Sequence, residues 1–258
     1  MTLTIVILTC NQREHTLRLL ESLLPYMKSH RGVEAVIVDN GSIDGTTKAI
    51  RTRLESVAKD VSVKVKIIEL PENVGVAAGR NIGASGSSAE FIMFLDNDTI
   101  ISPEAIDGLI AHINENPRCG ICAPALHSPQ GEVQLSAKPY PSFRIKLAHL
   151  LRPGHDLQCE RNEMLKPHPW YVIGACQMMR RSTYADVGPL DEHIFYGPED
   201  ADYCARVRKA GLTIDYLPHL SMTHDWQRVT RRNPLSCMGL RHACSLFYFW
   251  FKTLTNRR

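Results

Sequence analysis

The 258-residue chain has few cysteines and no long hydrophobic run, and both absences exclude classes of protein. Eight scattered cysteines are too few for a disulfide-stabilised scaffold, and no run reaches the ~18 apolar residues of a membrane-spanning helix. The segment 2–9 lacks the basic region of a signal peptide. We therefore expect a cytoplasmic protein with free thiols. Its net charge of +3 is too small for a dedicated nucleic-acid-binding protein, so no nucleic-acid partner is expected.

Acidic residues are also absent from the last part of the chain. Residues 1–225 hold all 27 acidic and 23 basic residues, a net charge of −4, whereas 226–258 hold seven basic residues, a net charge of +7. This asymmetry predicts a main domain over 1–225 and a basic extension over 226–258.

Cys119 and Cys122 form a C-x-x-C, but no second cysteine pair accompanies them at zinc-finger spacing. We interpret them as buried thiols near a strand rather than as a metal or redox site.

Short apolar runs alternate with helical patterns over the first hundred residues. The runs Leu3–Thr9, Ala35–Val38, Val63–Leu70 and Phe91–Leu95 are typical of strands. Such alternation predicts an α/β fold with a parallel sheet covered by helices on both faces. Ligands of these sheets bind at the carboxyl ends of the strands, where this chain places clusters of polar residues. We therefore predict a nucleotide-binding half over about 1–100.

The pattern is weaker over about 101–225, the predicted acceptor-binding half. A helix is predicted from Pro103 to about Asn116, and short strands with a turn are predicted over 119–136. The segment 137–168 has no clear periodicity and is interpreted as a long connection or mobile loop. A helix is predicted over Asp200–Ala210 and a strand over Leu212–Tyr216.

Two carboxylates at a spacing of two follow the predicted strand Phe91–Leu95. Asp96 and Asp98 lie on an irregular turn, from which both can reach one divalent cation. Alone, this D-x-D is a weak signal and is more typical of a solvated turn in which Asp caps the helix that begins near Ser102. The neighbouring motifs decide between these interpretations.

Five short motifs occur in order along the chain. They are Asp39-Asn40-Gly41-Ser42, Asn73-x-Gly75-x-x-x-Gly79-x-Asn81-x-Gly83, Leu95-Asp96-Asn97-Asp98-Thr99, Val187-Gly188-x-Leu190-Asp191-Glu192 and Pro198-Glu199-Asp200-Ala201-Asp202. Their combination, over about residues 3–225, resembles the inverting family 2 glycosyltransferases of the GT-A fold, in particular the rhamnosyltransferase-like subgroup. The resemblance implies a mostly parallel central sheet flanked by helices. A carboxyl-terminal amphipathic helical extension is predicted separately, from the residues after 225.

The resemblance also implies a role for each matching residue. Binding of the sugar-nucleotide donor is expected from Thr9, Asn11, Asp39, Asn73, Arg80, Asp96, Gly174 and Ala175. Asp96 and Asp98 match the pair that holds Mn²⁺ or Mg²⁺ on the diphosphate, with Asp98 as direct ligand, and His224 matches an additional metal-binding histidine of some relatives. Asp200 matches the general base, and Glu199 matches a position that assists it or contacts the acceptor.

The implied reaction moves a sugar from a UDP- or dTDP-linked donor to a hydroxyl of a glycan or lipid-linked acceptor, as in bacterial cell-surface polysaccharide assembly. Direct displacement at an anomeric carbon needs a base on one face and leaving-group stabilisation on the other. The D-x-D and Asp200 come from different parts of the chain, as this arrangement requires. A single displacement inverts the anomeric centre.

Each assignment has a structural alternative. Asp39 can cap the turn at Gly41, and Glu199 and Asp200 can form the acidic first turn of a helix. His224 is as easily a structural histidine. Trp170 and Trp226 are as typical of a core as of a sugar-stacking platform.

Helical spacing divides residues 236–255 into two faces. Arg241, Ser245, Tyr248 and Lys252 form a narrow polar stripe, and the remaining surface is broadly apolar. Flanking arginines make this composition typical of an interfacial helix on the anionic inner face of the cell membrane. The alternative is a helix packed on the main domain or on a second subunit of a homodimer.

Other functions fit less well. A sugar nucleotidyltransferase is expected to carry a glycine-rich basic loop after its first strand, where this chain has Thr9-Cys10-Asn11-Gln12-Arg13. The glycines over 75–83 do not match the G-x-G-x-x-G of a dinucleotide dehydrogenase. A non-catalytic sugar-nucleotide-binding or scaffold protein has no need of the base at Asp200.

Overall fold

The computed structural model describes residues 2–55, 63–151, 158–226 and 236–255. Strands and helices alternate over the first half, as the apolar runs predict. The elements are β1 (Leu3–Thr9), α1 (Arg13–Ser29), β2 (Val33–Asn40), α2 (Thr46–Glu55), β3 (Lys64–Leu70), α3 (Val76–Ala84), β4 (Phe91–Asp96), β5 (Thr99–Ile100) and α4 (Pro103–Glu115).

The second half contains more regular structure than the sequence pattern predicts. Its elements are β6 (Cys119–His127), β7 (Val133–Gln134), β8 (Ala137–Lys138), α5 (Phe143–Leu151), α6 (Gln158–Glu163), β9 (Tyr171–Val172), β10 (Cys176–Arg180), α7 (Arg181–Val187), α8 (Glu199–Lys209), β11 (Thr213–His224) and α9 (Cys237–Thr255). The predicted connection 137–168 therefore contains helices α5 and α6. Helix α5 has only weak amphipathicity, and contacts with distant aromatic residues such as Trp250 hold it in place.

The central sheet has the strand order β3-β2-β1-β4-β10-β6-β11-β5, with β7 paired to β6. The pairs β1–β2, β1–β4, β2–β3 and β6–β11 are parallel, whereas β10 runs antiparallel to both of its neighbours. The expected mostly parallel sheet is thus confirmed. Because Thr9 pairs with Asp39 and Leu8 with Asp96, the carboxyl ends of β1, β2 and β4 meet at one edge.

Apolar side chains bury both faces of this sheet. One core lies between the sheet and helices α1 and α4, and the other contains side chains of α3, α8 and α9. Cys119 and Cys122 are buried on β6, as predicted for strand thiols. The same helix–sheet packing leaves the polar carboxyl ends of the strands uncovered, and this opening is where the cavity forms.

Helix α9 packs against the main domain, with Phe249 fully buried in the second core. None of the helices that the structure describes is both long enough and apolar enough to cross a bilayer. The division at residue 225 and the halves about 1–100 and 101–225 stay predictions. Five arginines of the predicted extension, at 228, 231, 232, 257 and 258, lie outside the described residues.

Candidate active site

A cavity of about 890 Å³ opens at the edge where the strands β1, β2 and β4 end. Its volume lies within the roughly 300–1,000 Å³ range of ligand pockets. Most of the predicted site residues line it, from both halves of the chain: Thr9, Asn73, Arg80, Asp96, Asp98, Gly174, Ala175, Glu199, Asp200 and His224. The structure therefore brings together residues that are up to about two hundred positions apart in the sequence.

Asp96, Asp98 and His224 form a group suited to a divalent cation. Their ligand atoms all lie within 4.8 Å of one another. Asp98 Oδ1 is buried and, within the described part of the chain, accepts no hydrogen bond, although His224 Nε2 lies 3.1 Å away. A buried carboxylate oxygen without a hydrogen bond is costly unless an ion completes its surroundings. Oxygen and imidazole ligands of this kind fit Mn²⁺ or Mg²⁺.

Gln134 on β7 orients the imidazole of His224. The Nδ1 atom of His224 lies 2.6 Å from Gln134 Oε1, so Nδ1 carries the proton and Nε2 points to Asp98. Burial alone lowers the pKa of His224, but the nearby carboxylates of Asp98 and Asp96 outweigh it and raise this pKa above its ordinary value. The same negative charge of Asp96 and Asp98 also favours a bound cation.

The second acidic group stands at the first turn of α8. Asp200 accepts hydrogen bonds from the backbone N–H groups of Gly174, at 3.2 Å, and Ala201, at 2.7 Å. Glu199 Oε2 accepts one from Gly197 N at 2.6 Å. These contacts fix both carboxylates at the cavity wall.

Burial disfavours the charged forms of both carboxyl groups. It raises the pKa of Asp200, and together with the neighbouring charge of Asp200 it raises the pKa of Glu199 to about 7. Because the two groups interact, they titrate as a pair. A carboxylate with a raised pKa is a stronger base than a solvated one, which suits proton abstraction near neutral pH.

Arg80 on α3 joins the two acidic groups. Its guanidinium, only 3% exposed, donates to Asp96 Oδ1 at 2.7 Å and lies 3.4 Å from Glu199 Oε1. It also donates to the carbonyl of Gly174 at 2.8 Å. In this structure Arg80 thus contacts the carboxylates, and its expected role in donor binding stays a prediction.

Two predicted donor-binding residues do not line the cavity. Asp39 is buried and accepts hydrogen bonds from the backbone N–H of Ser42, at 2.8 Å, and from the hydroxyl of Thr47. Asn11, with φ of +52°, accepts from Ile43 N at 2.8 Å. Both residues join the loops that follow β1 and β2. The contacts of Asp39 match the structural alternative of turn capping, and the roles of both residues in donor binding stay predictions.

The donor-side wall is built from a polar network. Thr9 lies 2.8 Å from the hydroxyl of Thr16 and accepts from Asn97 Nδ2 at 3.2 Å. Asn73 accepts from Asn40 Nδ2 at 3.1 Å. These hydrogen bonds hold the loops after β1, β2 and β3 in one arrangement around the cavity.

Comparison with known proteins identifies the family. Residues 4–188 match the model of glycosyl transferase family 2. The chain belongs to that family. It is 28% identical over 95% of its length to an N-acetylglucosaminyl-diphospho-decaprenol L-rhamnosyltransferase of Mycobacterium tuberculosis, of which it covers 83%. It is also 28% identical to a dTDP-rhamnosyl transferase of Shigella flexneri, over 85% of this chain and 67% of that one. The predicted family and its rhamnosyltransferase-like subgroup are confirmed.

Solved structures confirm the GT-A fold of this glycosyltransferase. A mannosyltransferase of Pyrobaculum calidifontis in complex with GDP-Man and Mn²⁺ superposes with a TM-score of 0.66 at 16% identity. TarS of S. aureus in complex with UDP-GlcNAc gives 0.59 at 18% identity. The matches cover 90% and 88% of the glycosyltransferase, which spans about three-fifths of each of those chains.

Sequence reasoning missed part of the cavity wall. Helix α5 contributes Lys146 and His149, the loop before α8 contributes Tyr196, and α9 contributes His242. The basic residues of the segment 137–168 could have indicated a contact with an anionic ligand, but the segment has no helical periodicity that predicts α5.

Trp170 and Trp226 do not line the cavity. Trp170 packs against Tyr140 with ring centroids 4.8 Å apart.

A second metal-capable group lies outside the cavity of the glycosyltransferase. His112, Cys119 and Asp215 have ligand atoms within 4.8 Å of one another. Asp215 lies 2.7 Å from His112 Nε2 and 2.8 Å from His168 Nδ1. The carboxylate is therefore already satisfied by two imidazoles, unlike the Asp98 oxygen.

Proposed function

We propose that this enzyme transfers rhamnose, with inversion, from a dTDP-linked donor to a hydroxyl of a lipid-linked glycan in bacterial cell-surface polysaccharide assembly. One observation carries the reaction type: a metal-capable group and a buried carboxylate pair share one cavity, joined by Arg80. The printed names of the two relatives support the donor and the acceptor class.

Asp96, Asp98 and His224 are the residues that would hold Mn²⁺ or Mg²⁺. A bound cation supplies charge neutralisation to the diphosphate leaving group. Gln134 contributes by fixing the proton on His224 Nδ1, which leaves Nε2 available as a ligand.

Asp200 is proposed as the general base that accepts the proton of the acceptor hydroxyl. The two backbone N–H groups that contact it fix its direction, and burial raises its pKa. Glu199 holds Arg80 at the same wall, and the positive guanidinium lowers the pKa of both carboxyl groups, against the effect of burial. This arrangement supports base catalysis without a covalent intermediate.

The donor is tested by thermal shift with Mn²⁺ and a panel of UDP- and dTDP-linked sugars. We expect dTDP-rhamnose to give the largest stabilisation, because ligand that binds only the folded state raises its stability. A larger rise in melting temperature with a UDP-linked sugar would contradict dTDP-rhamnose as the donor.

The base is tested with Asp200→Asn, which keeps the shape of the side chain and removes its basicity. We expect transfer to fall by about 10²–10⁴-fold, the usual contribution of general base catalysis, with donor binding retained. Asp186→Asn, on the exposed side of α7, is the matched control and should transfer normally. Normal turnover by Asp200→Asn would exclude this base.

A further inference from the structure

Helix α9 contacts the catalytic domain through its polar stripe. Lys252 Nζ lies 2.7 Å from Asp191 Oδ2 and 2.7 Å from Asp202 Oδ1, and Tyr248 donates to Asp191 Oδ2 at 3.0 Å. The guanidinium of Arg241 lies 4.0 Å from the ring centroid of Phe195. A helix on a soluble domain normally turns its polar side to water. Here the polar side is used for docking.

Several large apolar side chains of α9 consequently face outward, although Phe249 is buried. Leu240, Phe247, Phe251 and Leu254 are 57–69% exposed. On α5, Phe143, Leu147 and Leu151 are 40–71% exposed. Across the described ranges, seven of the eleven large exposed hydrophobic residues lie on these two helices. We call these seven side chains the apolar face.

Trp250 joins the two helices into one surface. Its ring lies 5.7 Å from that of Phe143 on α5 and 5.6 Å from that of Phe247 on α9. Its indole N–H donates to the carbonyl of Pro141 at 2.8 Å. The apolar side chains of α5 and α9 are therefore held together rather than scattered.

The same two helices also form part of the cavity wall. Lys146 and His149 of α5 and His242 and Leu246 of α9 line the cavity together with Glu199 and Asp200. Whatever binds the apolar face therefore contacts the same two helices that border the proposed acceptor side of the cavity.

Charge selects the occupant of the apolar face. Neither α5 nor α9 contains an acidic residue, and residues 226–258 carry seven basic residues and no acidic one. In a symmetric dimer the same face of two subunits would meet, and these like charges would oppose one another. Lys252 pairs with Asp191 and Asp202, but Arg144 of α5 and Arg241 of α9 are exposed and no acidic residue of either helix opposes them. An anionic lipid surface therefore attracts this net positive charge while accepting the exposed aromatic and leucine side chains.

We propose that α5 and α9 together dock this glycosyltransferase peripherally onto an anionic lipid bilayer through the apolar face. The inference rests on the proposed function in one respect: it explains how a lipid-linked acceptor reaches Asp200 without leaving the membrane. Docking places the enzyme at the inner face of the cell membrane. The acceptor glycan then reaches the cavity along the wall to which α5 and α9 contribute.

The test is co-sedimentation with vesicles of equimolar phosphatidylglycerol and phosphatidylcholine, and with phosphatidylcholine alone. We expect the wild-type chain to bind the anionic vesicles and the Phe247→Ser/Phe251→Ser variant to bind at least about tenfold more weakly, since each phenylalanine buries substantial apolar area. Val133→Ser, at an exposed apolar residue on β7, is the matched control and should bind like the wild type.

Equal vesicle binding by the double variant would overturn the proposal, as would failure of the wild type to bind. A concentration-dependent dimer that dissociates in the double variant, without vesicle binding, would reassign the apolar face to self-association. Donor-induced thermal stabilisation of the same proteins separates the two proposals. If it persists without vesicle binding, only docking fails, whereas its loss contradicts the proposed function.

Discussion

Replacing Gly174 with alanine adds one methyl group at the point where the two acidic groups of the active site are joined. A Cβ at this position would lie 2.9 Å from Arg80 Nη2 and 3.0 Å from Arg80 Cζ, and closer still to Nη1. Separations under 3 Å require movement of one of the partners. The guanidinium therefore has to shift in Gly174→Ala.

The surroundings of Arg80 set the magnitude of the effect. The guanidinium is 3% exposed and contacts Asp96, Glu199 and the Gly174 carbonyl, so any shift weakens at least one of these contacts. Overpacking of a buried site costs about 1–3 kcal/mol, and breaking a buried ion pair costs about 3–5 kcal/mol. We expect a loss of at least about 2 kcal/mol in unfolding free energy, equivalent to a melting temperature lower by roughly 4–8 °C.

The assay is denaturant unfolding followed by a transfer assay on the folded protein. Gly86→Ala is the matched control, since its added Cβ would meet no atom within 4 Å and should change stability by less than about 0.5 kcal/mol. Transfer should fall in Gly174→Ala as well, because the displaced Arg80 no longer holds Asp96 and Glu199. A Gly174→Ala enzyme with wild-type stability and turnover would refute the structural role given to this arginine.

Two further predictions concern the cation and the pH dependence. EDTA should abolish transfer, and added Mn²⁺ or Mg²⁺ should restore it. Gln134→Leu should raise the Mn²⁺ concentration for half-maximal transfer by about 10–100-fold, because Gln134 orients His224. Full activity without metal would contradict the metal site at Asp98. The positive charge of Lys146 lowers the pKa of Asp200, so Lys146→Met should move the acidic limb of kcat/KM to higher pH. An unchanged acidic limb would exclude this coupling.

The first half of the fold follows from local sequence signals. The apolar runs that become β1, β2 and β4 are bounded by polar residues, and parallel strands place those residues at one edge. The second half depends on long-range contacts. Strand β11 continues to His224, past Pro218, through a shift of register between Leu217 and Ser221 that spacing alone does not predict. His224 reaches Asp98 only because of this extension.

The candidate site likewise contains residues that local motifs predict and contacts that only the folded chain creates. Asp96, Asp98 and Asp200 could be located because their motifs lie next to predicted element ends. The contact of Arg80 with Asp96 and Glu199 could not be predicted, since it joins three elements that are distant in the sequence. Lys146 was missed for a different reason: α5 is stabilised by contacts with α9 rather than by its own pattern.

The orientation of α9 depends on two carboxylates of the main domain. Helical spacing identified the polar stripe but not the direction it faces, because a pattern gives the faces of a helix and not their neighbours. Burial would raise the pKa of Asp191, yet its hydrogen bonds with Lys252 and His193 hold this pKa well below its usual range. The charged, half-buried Asp191 is stabilised by the cation that α9 supplies. Asp191 lies in the motif Val187-Gly188-x-Leu190-Asp191-Glu192, so a motif residue helps to fix the orientation in which Phe249 of α9 is buried and Phe247 and Phe251 face outward.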